Sequence, residues 1–109
     1  MRLLALLLII AFISGCVEKP ANNESIPLYP QVVDLAKKDL AHRLNISVEQ
    51  IKLVRQEKVD WNDTSLGYPE EGMFYAAVIT PGFRIVLKAE DKLYEYHSDY
   101  TRVVGPKEV

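Results

Sequence analysis

Between Pro30 and Leu44 the apolar residues Val33, Ala36, Leu40 and Leu44 recur at helical spacing, while Lys37, Lys38 and His42 fall elsewhere. The spacing predicts an amphipathic helix that opens at Pro30, where the missing N–H is not needed, and stops near Asn45. Ser47 with Gln50 three residues on has the pattern of a capping box and predicts one short further turn. After Ile51 the period drops toward two. Ile51–Trp61 reads as a strand whose imperfect alternation, Ile51, Leu53, Val59 and Trp61, predicts a bulge near Val54. Met73–Thr80 reads as a mostly apolar strand, and Phe83, Ile85, Leu87 and Ala89 alternate cleanly with Arg84, Val86 and Lys88 in the next. Leu93–His97 is a further strand and Thr101–Val104 a candidate last one. Pro81-Gly82, Glu90-Asp91-Lys92 and Ser98-Asp99 read as the turns between them. Connections this short force antiparallel pairing. Residues 30–109 are therefore expected to form a single α+β domain, one amphipathic helix packed on a four- to five-stranded antiparallel sheet.

The N-terminus follows another pattern. Leu3 to Ile13 carries no polar residue, yet it is shorter than the roughly 20 residues that cross a bilayer. With Met1-Arg2 as its positive flank it reads as the core of a secretory signal. Ile13-Ser14-Gly15-Cys16 then resembles the lipobox of prokaryotic lipoproteins: an aliphatic residue, two small ones, then cysteine. The resemblance implies that residues 1–15 are a signal peptide and that Cys16 becomes the first mature residue, with lipid on its sulfur. A chain so processed is membrane-bound and faces outside the cytoplasm; two or more acyl or alkyl chains hold it stably, where one binds only marginally. Residues 16–29, rich in proline and asparagine, read as a flexible tether.

Composition narrows the partners. At 109 residues the chain has room for one small domain, and its net charge of −2 lacks the cationic bias of a nucleic-acid binder, so no nucleic-acid partner is expected. The lone cysteine, Cys16, excludes an intramolecular disulfide and a thiolate zinc site. No cofactor signature is present, and none is expected.

The stretch from Trp61 to Tyr100, WNDTSLGYPEEGMFYAAVITPGFRIVLKAEDKLYEYHSDY, is the distinctive part. Trp61, Asp63, Ser65-Leu66-Gly67, Pro69, Gly72-Met73, Tyr75, Ile79-Thr80-Pro81-Gly82, Ile85, Tyr94, Tyr96-His97 and Asp99 match a shared pattern. It resembles that of a family of small prokaryotic exported or lipid-anchored proteins of unknown function. Tyr68 stands where the pattern has cysteine, so any disulfide the family forms there is absent from this chain. The resemblance implies an exported domain and brings no catalytic assignment. The layout of helix and sheet is also similar to cystatin-like and PepSY-like domains, a likeness that carries no function.

Polar groups concentrate from Asp60 to Glu71. Asp60, Asn62, Thr64 and Glu71 fall at positions 1, 3, 5 and 12, as oxygen ligands do in an EF-hand, but Ser65 replaces the turn glycine and strands flank the loop. A turn-rich connection is the plainer reading. The interaction loop is expected at Trp61, Asp63, Tyr68, Glu70 and Glu71, with exposed aromatic anchors beside acids. His97 reads as a turn cap or a partner of Asp99, and His42 as solvent-exposed. Ser65 or Thr64 approaching His97 with Asp63 as orienter would imitate a hydrolase, but no nucleophile elbow accompanies them and no enzyme is expected. Tyr75, Tyr94, Tyr96 and Tyr100 read as a cross-strand aromatic group. Asn23, Asn45 and Asn62 open N-glycosylation sequons. These features point to a lipid-anchored, non-enzymatic binding module that meets an envelope protein or polymer. The alternative is a small-ligand or cation sensor using the Asp60–Glu71 loop.

Overall fold

The structure, a computed structural model, describes residues 24–109. The signal segment, Cys16 and Asn23 lie outside the described residues. Helix α1 (Pro30–Leu44) begins with proline in its first turn and ends at Asn45, whose φ of 56° is left-handed. The chain reversal closes with Ile46 N–H donating to Ala41 O at 3.0 Å, and Arg43 in the last turn complements the helix dipole. The predicted capping box forms: Ser47 accepts from Glu49 N–H and Gln50 reaches back to Ser47 N–H, which starts a 3-10 turn at Val48–Gln50.

Four strands follow: β1 (Lys52–Trp61), β2 (Thr80–Ala89), β3 (Lys92–Ser98) and β4 (Val103–Glu108). They pair antiparallel in the order β1-β2-β3-β4. The register of β1 slips between Leu53 and Arg55, where the bulge was expected. One face of the sheet meets α1. Val32, Val33, Ala36, Leu40 and Ala41 pack there against Leu53, Phe83, Ile85, Leu87, Tyr94 and Tyr96. The cross-strand pairs Ile85–Tyr96 and Leu87–Tyr94 fix which side of β2 and β3 is buried.

Three expectations are corrected. Met73–Thr80 is no strand; only Thr80 joins the sheet, and the residues before it form part of an irregular connection. Apolar residues at both parities and no charge give that stretch no single face to bury, whereas Arg84 and Lys88 set against Phe83, Ile85, Leu87 and Ala89 mark the two faces of β2, with Val86 the only side chain buried on the outer one. Pro81-Gly82 is no turn but the start of β2, opposite Asp60 and Val59. The last strand begins at Val103 rather than Thr101, because the Asp99 carboxylate accepts from the N–H groups of both Thr101 and Arg102 and holds a turn there. The sheet therefore has four strands.

Residues 24–29, expected within the tether, lie against the domain. Ser25 donates its N–H to Leu53 O at 2.9 Å and its hydroxyl to Val54 O, carbonyls that the bulge leaves on an open edge. Glu24 pairs with Lys37, and Tyr29 stacks on Phe83 at 5.7 Å with Tyr100 edge-on at 5.2 Å. Among the described residues no helix is long and apolar enough to cross a membrane.

Candidate functional site

The sheet face away from α1 carries its own polar and aromatic assembly. Arg84 projects from β2 opposite Phe83 and Ile85, which point into the core, and bridges Glu57 at 2.8 Å and Glu95 at 3.1 Å. Beside them on β3 sits His97, 5% exposed. Its ring is sandwiched between Trp61 (centroids 4.2 Å apart) and Tyr68 (3.7 Å). Nδ1 faces Leu66 O and Nε2 faces Glu95 Oε2, each at 2.6 Å, so both ring nitrogens point at acceptors. Burial pushes the Glu95 carboxyl up, but the hydrogen bonds and charges of His97 and Arg84 outweigh it and hold it below the usual carboxylate range.

This stack fastens the 62–79 connection over the sheet. Trp61 donates Nε1–H to Ser98 O at 2.9 Å, and Arg84 lies 5.5 Å above its ring. Asp63 accepts from the N–H and hydroxyl of Ser65, which keep its carboxyl below the ordinary value. Leu66 and Gly67 both take left-handed φ, 59° and 81°. At Gly67 a Cβ would come within 3.2 Å of both His97 Nδ1 and the Trp61 ring, so glycine lets the loop reach the stack. Tyr68 donates its hydroxyl to Glu95 O at 3.3 Å. Burial, with the Glu95 charge, pushes that phenol up to about 12. Thr64 then ties the outer half: its N–H donates to Ala76 O at 3.1 Å, its hydroxyl accepts from Ala76 N–H at 2.9 Å, and Arg102 caps its carbonyl.

The expected interaction residues separate into two groups. Trp61 is only 7% exposed, so it is a packing residue and not an exposed anchor. Tyr68 is half-buried and Asp63 is engaged with Ser65, whereas Glu70 and Glu71 are fully at the surface. His97 neither caps a turn nor meets Asp99; its partners come from Leu66 and Glu95. The four tyrosines do not form one group. Tyr94 and Tyr96 are in the core, Tyr75 accepts from Glu70 N–H, and Tyr100 packs on Tyr29 and Phe83. The Ser65 hydroxyl goes to Asp63 and that of Thr64 to Ala76, so neither pairs with His97. Among the described residues no three His, Cys, Asp or Glu side chains converge as metal ligands. Asn62 is exposed, and so is Asn45 at the helix end, while His42 faces solvent as expected.

The residues that sequence reasoning missed lie just beyond Glu71. Phe74 is 99% exposed, with Met73, Val78 and Ile79 more than half exposed beside it. The available signal was a run from Gly72 to Thr80 without one charge, apolar at both parities. A family model described as a domain of unknown function, DUF8738, matches residues 33–105. No curated protein and no solved structure matches the chain.

Proposed function

The chain belongs to the DUF8738 family, and we propose that it is a non-enzymatic binding module held at the outer face of a cell membrane by lipid on Cys16. The observation that carries the binding role is the outward half of the 62–79 connection. Its inner half is fastened to the sheet by the Trp61–His97–Tyr68 stack, and its outer half presents Phe74 to solvent beside Met73, Glu70 and Glu71. A rigid scaffold that holds an apolar aromatic tip next to two acids suits a protein partner with an apolar pocket rimmed by cations. Anchoring rests on the Ile13-Ser14-Gly15-Cys16 pattern. The Asp60–Glu71 cation reading has less support, because Asp63 and Thr64 direct their oxygens to Ser65 and Ala76.

Affinity recovery from detergent-solubilised membranes, using the full chain, tests the proposal. Phe74→Asp should lose the partner. Glu70→Lys with Glu71→Lys should weaken recovery and remove its dependence on salt. Unchanged recovery by both variants would remove the loop from the binding role. The intact mass of the purified chain reads lipid on Cys16 independently.

A further inference from the structure

One stretch of backbone is left unpaired although its side chains suit a sheet. From Gly72 to Thr80 no residue is charged. Ala76 gives both its N–H and its C=O to Thr64. Among the described residues the N–H and C=O groups of its neighbours Tyr75 and Ala77 have no partner, nor does the N–H of Ile79. The segment is not a strand within the single chain and bends at Val78, but one residue engaged on one side and its two neighbours open on the other is the alternation that an edge strand presents to a partner. A lipid surface would cover Phe74 but would leave these backbone groups unmatched, whereas another strand satisfies them.

We infer that Met73–Ile79 pairs antiparallel with the same segment of a second copy of this chain, forming a closed two-fold dimer. This rests on the proposed outward-facing binding loop and does not depend on lipid at Cys16. The segment is complementary to itself about Ala76. With Ala76 opposite Ala76 of the second copy, Tyr75 meets Ala77, Phe74 meets Val78 and Met73 meets Ile79, so each larger side chain faces a smaller or branched one. Glu70 and Glu71 precede the paired segment and so lie at opposite ends of the antiparallel pair, where they do not oppose each other. Tyr75 and Ala77 occupy the hydrogen-bonded positions and supply about four bonds between the copies, two for each pair. On the other edge Ala76 is held by its own Thr64, which blocks the same register there, so the contact is a two-fold one.

Register-specific disulfide trapping on the full chain in detergent tests this. Lipid on Cys16 leaves an introduced thiol as the reactive one, and the wild-type chain run alongside reads any reaction at Cys16 itself. Residues opposite one another at non-hydrogen-bonded positions have Cα atoms ~4.5 Å apart, within disulfide reach. Ala76→Cys should therefore form a dimer under mild oxidation. Phe74→Cys and Val78→Cys chains, mixed, should cross-link to each other at least tenfold faster than either does alone. Asp91→Cys, in the β2–β3 turn, should stay monomeric. Sedimentation should give twice the chain mass for wild type and at least tenfold weaker association for Phe74→Asp. The inference is overturned if the mixed pair reacts no faster than Asp91→Cys, or if each variant prefers itself, which is parallel pairing. A monomer whose labelled Phe74→Cys is quenched from within the acyl chains would overturn it too and assign the segment to the bilayer. Recovery of another protein that ceases with Phe74→Asp while Ala76→Cys fails to cross-link would keep the binding loop and remove the dimer.

Discussion

Replacing Gly82 by alanine separates a turn from a strand at the position where local sequence and tertiary structure disagree. In a Pro-Gly turn, an added methyl group would meet solvent. In the folded chain a Cβ at Gly82 would lie 1.8 Å from Ser98 O and 2.7 Å from its carbonyl carbon. A carbon–oxygen contact normally settles near 3.3 Å, so β2 and β3 must part by about 1.5 Å at this point. The backbone of β3 cannot rotate away as a side chain would. The same Ser98 carbonyl accepts the buried Trp61 indole N–H, and Phe83, next along, pairs with Ser98. An indole donor left unsatisfied in the interior costs about 1–3 kcal/mol, and forcing packed strands apart about 1–3 kcal/mol more. The expected loss is therefore about 2–6 kcal/mol. For a domain of this size that lowers Tm by at least ~8 °C. Gly72→Ala is the comparator: its φ is left-handed, at 85°, unlike that of Gly82, but nothing lies within 4 Å of the new methyl group, so only backbone strain of about 1 kcal/mol remains. Urea unfolding followed by the fluorescence of Trp61, the single tryptophan, reports both variants. Equal costs for the two glycines would refute the close approach of β2 and β3.

Leu40→Ala should cost about 2–5 kcal/mol by opening a cavity under α1, whereas Lys38→Ala, on the exposed side, should cost less than about 0.5 kcal/mol; equal midpoints in urea would mean the helix faces another way. Glu95 has a folded-state pKa below its unfolded one, so its contribution is fully present above the unfolded value and is lost as pH falls through the folded value. Glu95→Gln should accordingly lower stability at neutral pH and approach wild type in acid, and a constant gap across that range would contradict the His97–Glu95–Arg84 assembly. Cys16→Ser should release the chain from membranes or stall its processing, read by fractionation and intact mass, and unchanged retention would count against lipidation.

The candidate site was only partly legible along the chain. Glu70 and Glu71 were placed at the surface by their charge, and the turn chemistry of Asp63 and Ser65 followed from side chains two residues apart. The partners of His97 had no such signature, since Leu66 lies 31 residues away and Trp61 further still. Trp61 reads as an anchor for a partner because it borders a polar loop. It is buried because that loop folds back over it.

What the sequence determines by itself is local. Proline at the start of α1, asparagine able to take a left-handed φ at its end, the capping box at Ser47 and Gln50 and the alternation from Phe83 to Ala89 each act within a few residues. Each therefore leaves a pattern that can be read without coordinates. What only the tertiary structure decided is which segments pair. Met73–Ile79 has the composition of a strand, yet Thr80–Ala89 takes the place beside β1, because its alternating residues bury one face against α1 while the earlier run has no face to choose. The same register puts Gly82 against the Ser98 carbonyl and draws the 62–79 connection across the outer face of the sheet, where Tyr68 and Trp61 close on His97. Pairing depends on hydrogen bonds and side-chain contacts between residues tens of positions apart, and these have no period along the chain.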